Sequence, residues 1–222
     1  MWFIGQGITI EQVMMNILAS LIIIFLVMPL HELAHGYLSY KLGDDTAKRQ
    51  GKLRLNPLEQ VDPWGAVFIL LFNFGWAKPI PVDTRNFKKP RIYTALVSLA
   101  GPFSNLLAAF SGALLYNTLF LFRYSFSQNI LALLELFLKS FIFINIGIAV
   151  FNLIPIPPLD GSKILEAFLP SRIRDRYYQN QGLFNILIMV LLFVGVLSGP
   201  IEILRIIVFN GIKFAANFIF GF

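Results

Sequence analysis

Long runs of apolar residues dominate this chain and decide where it can fold. Four runs approach or exceed the roughly 20 apolar residues that cross roughly 30 Å of hydrocarbon. They cover residues 13–30, 92–122, 140–156 and 183–196 with its flanks. With 57% hydrophobic and only 14% charged residues, the chain has too little polar surface to cover a soluble globule. The sequence therefore predicts an all-α polytopic membrane protein with about four to five transmembrane helices.

A shorter apolar run, residues 65–76, is too brief for a comfortable crossing, so we interpret it as a re-entrant or hairpin-like segment. The whole chain, 1–222, is then a single membrane-embedded domain. Its predicted parts are a helix over 13–42, a cytosolic loop over 43–91 that contains the re-entrant segment 65–82, helices over 92–122 and 130–157, and C-terminal helices over 183–221.

The positive charge of +6 is concentrated in two parts of the chain. Of the 18 Lys and Arg residues, ten fall within 41–91 and four within 163–176, which is the distribution of cytosolic loops in a membrane protein. We therefore expect a multi-pass protein of the cell membrane with its N-terminus outside. The first basic residue is Lys41, so a secretory peptide is not indicated and the first run should stay as an anchor. Basic residues interleaved with exposed aromatics are missing, which excludes nucleic acid as a partner.

Both histidines of the chain occur in the motif "HELAH" (31–35), at the end of the first apolar run. Residues four apart share one face of a helix, so His31 and His35 can bind one metal ion. Glu32 lies about 100° further round the helix and can reach a water on that metal. Ionisable residues are costly inside a membrane, which favours a functional role over simple interhelical hydrogen bonds.

A catalytic zinc site needs three protein ligands and leaves a fourth position for water. The chain has no third His and no Cys, so the remaining ligand must be a carboxylate. Asp160 is the favoured candidate because it follows three prolines at the end of an apolar run, on the predicted cytosolic side. Glu166 is the alternative within the same region.

Four motifs resemble those of the site-two proteases, which are zinc metalloproteases that cut their substrates inside the membrane. They are "HELAH" (31–35), "FGWAKPIPV" (74–82), "AGPFSN" (100–105) and "NLIPIPPLDG" (152–161), in the order of the family. The resemblance implies Zn²⁺ bound by His31, His35 and Asp160, with Glu32 as general base. It also implies that Asn152 holds the substrate or the developing oxyanion. The distribution of Lys and Arg places the predicted active site near the cytosolic side.

Other residues of these motifs are candidates for weaker roles. Asn105 either orients the catalytic helix and its substrate or only joins neighbouring helices. Pro79 and Pro81 predict an extended segment, which serves either as an edge beside which a substrate unwinds or as a rigid loop. Many relatives carry His where this chain has Gln60, and this departure lies outside the predicted ligands.

The expected partners are therefore the lipid bilayer and protein substrates with a transmembrane helix, whereas the residues make no prediction about the oligomeric state. Two alternatives stay open. A membrane-anchored zincin that cuts outside the bilayer would use Glu59 or Glu166 as its third ligand. A non-hydrolytic metal carrier would need ligands along a crossing path, and apart from the Glu135 and Lys139 pair the apolar runs offer almost none.

Overall fold

The structure is a computed structural model of the chain, and it describes residues 7–180, 182–184, 190–191 and 194–221. Helices make up most of the described residues. In chain order they are α1 (Ile10–Lys41), α2 (Thr46–Arg49), α3 (Pro57–Gln60), α4 (Pro63–Phe72), α5 (Pro90–Leu121), α6 (Gln128–Asn152), α7 (Asp160–Glu166), α8 (Ser171–Gln179) and α9 (Ser198–Phe220).

Helix α1 carries the HELAH motif and begins at a capping box, in which Thr9 and Gln12 exchange side-chain and backbone hydrogen bonds. A single π-helical turn, Ile23–Val27, interrupts it. This wider turn ends two residues before Pro29, which has no N–H to donate to the preceding turn of the helix. The helix continues without a break to Lys41, so both histidines lie on one rigid element.

Three long helices, α1, α5 and α6, form the centre of the bundle, and α9 packs against α5 and α6. Ala19 and Ile23 of α1 pack with Ile144 and Ile148 of α6 in the largest buried cluster. Many large apolar side chains on the outer surfaces of the same helices are exposed, which is the arrangement expected of helices that face lipid. These helices are thus held together by apolar contacts across the bundle.

Within the described residues, α1, α5, α6 and α9 are each long and apolar enough to cross a membrane. This confirms the predicted all-α membrane fold. The predicted helix over 130–157 ends earlier, at Asn152, because the prolines that follow cannot continue it. Half of the predicted run 183–196 lies outside the described residues.

The segment 65–82 forms the predicted hairpin rather than a span. Helix α4 has 10 residues, about 15 Å at the usual helical rise, and Asn73 ends it in the left-handed conformation. The chain then returns along α4, where Gly75 approaches the carbonyl of Gly65. A single antiparallel bridge joins Val61 to Ala77. The return leg, residues 77–82, therefore lies beside α1 and its histidines.

Candidate metal centre

The two histidines of α1 are buried, and each ring is oriented through its Nδ1 atom. Nδ1 of His31 lies 2.5 Å from Oδ1 of Asn105, and Nδ1 of His35 lies 2.7 Å from the carbonyl oxygen of Val97. Both partners are acceptors, so each Nδ1 carries the proton and each Nε2 keeps a free lone pair. This is the tautomer that a histidine needs in order to bind a metal through Nε2.

Asp160, the first residue of α7, reaches the same point from a part of the chain more than 100 residues away. Its Oδ2 atom lies 3.3 Å from Nε2 of His31 and 3.2 Å from Nε2 of His35, while the two Nε2 atoms are 3.1 Å apart. The close approach of Gly161 to the carbonyl of Leu153 makes this possible, since any side chain there would collide with that backbone. Three donor atoms therefore form a nearly equilateral triangle.

This triangle has the dimensions of a zinc site. Ligands about 2.0–2.1 Å from a tetrahedral zinc are separated by about 3.3 Å, close to the three distances observed here. Asp160 would bind the ion as the carboxylate, which is the protonation state that a metal ligand must have.

Gly101 of α5 forms the wall beside the two imidazoles. A Cβ atom at this position would meet Nε2 of His31 and Nε2 of His35 at impossibly short distance. Only a glycine allows the α5 backbone to pass so close to the histidines. The fold thus keeps open a space beside the donor atoms that a single methyl group would fill.

Glu32 lies on the same helix and is held by the return leg of the hairpin. Its Oε2 atom accepts a hydrogen bond of 3.0 Å from the backbone N–H of Ile80, and both residues are buried. Gly36, one turn further along α1, leaves room for the Ile80 side chain, whose Cγ2 would lie 2.9 Å from a Cβ at that position. One oxygen of the carboxylate is thereby fixed in place.

Asp44 anchors the other end of this return leg to α1. Its buried carboxylate accepts hydrogen bonds from the Ser39 hydroxyl, the Thr46 hydroxyl and N–H, the Asp83 N–H and the Asn86 amide. Burial raises the pKa of Asp44, but these hydrogen bonds, led by those from Thr46 and Asn86, lower it to about 2. An ionised Asp44 therefore fixes the segment that holds Glu32.

A cavity of about 620 Å³ opens onto the metal centre. Phe74, Trp76 and Phe151 contribute much of its apolar lining, and His31, Glu32, His35 and Asp160 form its polar end. Such a cavity, largely apolar with a few converging polar groups, is the usual form of a binding site. It is large enough to take several residues of a polypeptide.

The structure brings most of the predicted site residues to this cavity. Asn152 and Pro79 line it, whereas Pro81 is not among the lining residues. Asn105 is fully buried behind His31 and contacts that ligand rather than the cavity, so its position favours the orienting role over contact with a substrate. Gln60 lies outside the cavity, where its side chain bonds to Asn56 and Arg54.

The alternative third ligands lie elsewhere. Glu59 forms an ion pair with Arg54 and a hydrogen bond with Asn56 in the polar loop. Glu166 is buried, but it does not line the cavity. The observed geometry therefore favours Asp160 over both.

Sequence reasoning missed several residues of this site. Asn145 acts on the metal centre through Asn105. Its Oδ1 atom accepts a 3.2 Å hydrogen bond from Nδ2 of Asn105, and this bond orients the amide whose oxygen contacts His31. An asparagine in an apolar run is a signal that could have identified it. The bonds of Ile80 and Asp44 and the close approach of Gly101 depend on contacts between distant parts of the chain.

Alanine at Gly101 is expected to abolish zinc binding although no ligand is changed. The added methyl group would occupy the space beside both Nε2 atoms and force the imidazoles apart. Elemental analysis of the purified variant measures this loss. Gly112→Ala, on the same helix, is the matched control, since its Cβ would meet only Ile142 and Phe141 at 3.0 Å and zinc should be retained. Full zinc content in Gly101→Ala would contradict the assigned metal position.

A bundle of spanning helices with a buried His-Glu-x-x-His motif and a carboxylate as the third candidate ligand defines a membrane-bound metallohydrolase. The chain belongs to peptidase family M50, the site-two protease family, and residues 124–197 match the model of that family. It is therefore a zinc metalloprotease, which confirms the predicted class and cofactor and leaves the metal-carrier alternative without support.

Three relatives carry provisional names as zinc metalloproteases. YwhC of Bacillus subtilis (strain 168) is 44% identical over 169 residues, which cover 74% of this chain and 75% of YwhC. Rip2 of Mycobacterium tuberculosis is 30% identical over 77% of this chain and 64% of its own length, and Rip2 of Mycolicibacterium smegmatis is 28% identical over 73% and 62%. A comparison with solved structures gave no significant match.

Proposed function

We propose that this enzyme hydrolyses peptide bonds within the transmembrane segments of membrane-protein substrates. The observation that carries the proposal is the place of the catalytic residues inside a spanning helix. His31, Glu32 and His35 are buried in α1, about 9–15 Å along the helix from its Lys41 end. A substrate that meets these residues must enter the bundle rather than remain in a soluble loop.

In this proposal His31, His35 and Asp160 hold the zinc ion. When bound, zinc polarises the substrate carbonyl and lowers the pKa of water towards about 7. Glu32, fixed through Oε2 by Ile80, takes the proton of the attacking water with its other oxygen. The water oxygen bonds to the carbonyl carbon, the C–N bond breaks, and Glu32 returns the proton to the leaving amine.

Asn152 stabilises the transition state in the same scheme. One N–H of its side-chain amide is donated to the carbonyl of Ile148 at 3.0 Å, and the amide has a second N–H. Since Asn152 lines the cavity, we assign this second N–H to the oxyanion that forms on the substrate. The return leg 77–82, with Pro79 at the cavity, is the edge beside which the substrate unwinds.

The test uses the purified full-length protein with single-span model substrates. We expect cleavage within the apolar segment, located by mass spectrometry of the products. A zinc chelator should stop cleavage, and added zinc should restore it. A matched substrate in which the span is replaced by a polar sequence should be resistant. Cuts found only in the polar flanks would instead support a membrane-anchored protease that acts outside the bilayer.

We further propose that the N-terminus lies outside the cell and the metal centre near the cytosolic side, because most Lys and Arg residues flank the Lys41 end of α1. Single cysteines can be placed into this cysteine-free chain. A cysteine at Ser127, between α5 and α6, should react with an impermeant reagent from outside. A cysteine at Ser171, at the start of α8, should react only after permeabilisation. The opposite labelling pattern would reverse the proposed orientation.

A further inference from the structure

A second cavity lies between α5, α6 and α9, far from the metal centre. Its volume is about 180 Å³. Asn117 of α5, which lines it, is about 24 Å along the helix from Gly101 at the usual rise. It is bonded to Asn217 of α9, at 3.0 Å from Nδ2 to Oδ1, and this bond ties the two helices together at the cavity. The cavity is thus built by three spanning helices at the end of the bundle opposite to the zinc site.

Two lysines from different helices converge on this cavity. Lys139 of α6 pairs with Glu135 at 3.1 Å and lies 5.5 Å from the ring centre of Tyr116. Lys213 of α9 also lines the cavity, and no carboxylate among the described residues lies within 4 Å of its ammonium group. Two cations therefore line one small cavity, and among the described residues only Lys139 has a carboxylate partner.

Both lysines lie in spanning helices towards the end opposite to the zinc site, and Lys139 directly precedes the apolar run 140–156, so their long side chains can reach the level of lipid phosphates. Lys139 is about 16 Å from the start of α6 and Lys213 about 11 Å from the end of α9. Both side chains are exposed at the rim, while the floor of the cavity is formed by the buried side chains of Ala113, Ile142 and Ala216. A cationic rim above an apolar floor suits a ligand with an anionic group and an apolar body.

We propose that this cavity binds an anionic phospholipid of the adjacent leaflet. Lys139 and Lys213 contact its phosphate, and the apolar floor contacts its glycerol and acyl region. A free phosphate ion would satisfy the lysines but would leave the apolar floor uncovered. The site is independent of the proposed proteolytic reaction, and its test uses no measurement of activity.

The experiment compares the thermal stability of the delipidated full-length protein in neutral detergent with added phosphatidylglycerol, phosphatidylcholine or inorganic phosphate. We expect phosphatidylglycerol to raise the midpoint of unfolding more than either other addition. Titration should give an affinity about fivefold weaker for each lysine replaced, in Lys139→Gln, Lys213→Gln and the double variant. Native mass spectrometry should show phosphatidylglycerol bound to the wild type and not to the double variant.

Two control variants separate this site from charge in general. Lys139→Arg with Lys213→Arg keeps both charges and should keep the response. Arg123→Gln removes a cation outside the cavity, one that bonds to the Phe120 carbonyl and Tyr124, and should also keep it. Equal stabilisation by phosphatidylcholine or by inorganic phosphate, or an undiminished response in the double glutamine variant, would overturn the proposal.

Discussion

Glutamine in place of Glu32 is expected to lower the rate of peptide-bond hydrolysis by at least about 10²-fold while zinc remains bound. The amide has the size of the carboxylate and can still contact the Ile80 backbone, but it cannot accept the proton of the attacking water. His31, His35 and Asp160 are unchanged, so elemental analysis should find full zinc content. Cleavage of a single-span substrate measures the loss, and co-purification measures whether the substrate still binds.

The matched control for this prediction is Glu59→Gln, which removes a carboxylate from the polar loop where Glu59 pairs with Arg54. Cleavage by this variant should equal that of the wild type. If Glu32→Gln cleaves at the wild-type rate with zinc present, Glu32 is not the base and the proposed mechanism is wrong.

Removal of any one of the three proposed ligands is expected to remove both zinc and activity. In His31→Ala, His35→Ala and Asp160→Ala only two donor atoms of the observed triangle remain, too few for a stable catalytic site. The loss of zinc affinity should exceed the about 10- to 100-fold change that follows loss of a residue which only orients a ligand. Asn105→Ala, which removes the partner of His31, should fall within that smaller range.

Titration of the metal-free variants with zinc distinguishes the large loss of affinity expected for a missing ligand from the smaller loss expected for Asn105→Ala. Glu166→Gln and Glu59→Gln serve as controls because each removes an alternative third ligand, and both should bind zinc as the wild type does. Zinc binding that survives in Asp160→Ala but fails in Glu166→Gln would transfer the third ligand to Glu166.

The spans and the histidine pair were predictable because both depend on local periodicity. Apolar runs of sufficient length must become helices in a membrane, whatever they pack against. The spacing of His31 and His35 places both rings on one face of any helix. Asp160 was reached by elimination, since the chain has no cysteine and no third histidine, and its exact distances could come only from the folded chain.

The parts of the site that the sequence did not predict rest on contacts between distant residues. The bond from Ile80 to Glu32 joins residues 48 apart, and the bond from Asp83 to Asp44 joins residues 39 apart. No local pattern specifies which backbone N–H will meet a given carboxylate. The role of Gly101 is equally non-local. A glycine is needed there because the imidazole rings of α1 leave no room for a side chain, and not because of the backbone conformation of Gly101.

Asn105 has two side-chain contacts that bear on the role its sequence leaves open. From sequence it could orient the catalytic helix or only join two helices. In the fold its Oδ1 atom faces His31 and its Nδ2 atom donates to Asn145. The same amide therefore does both, and the link to α6 is what fixes the direction of its oxygen.

The Pro79-Ile80-Pro81 triplet limits how a second polypeptide can be bound at this edge. The two prolines have no N–H, and the N–H of Ile80 is already given to Glu32. The backbone of the triplet can therefore accept hydrogen bonds but has no donor left to offer. Any chain that pairs with the triplet must therefore supply the N–H groups itself. The carbonyl oxygens of that chain receive no hydrogen bond from the triplet and can turn towards the metal and Asn152.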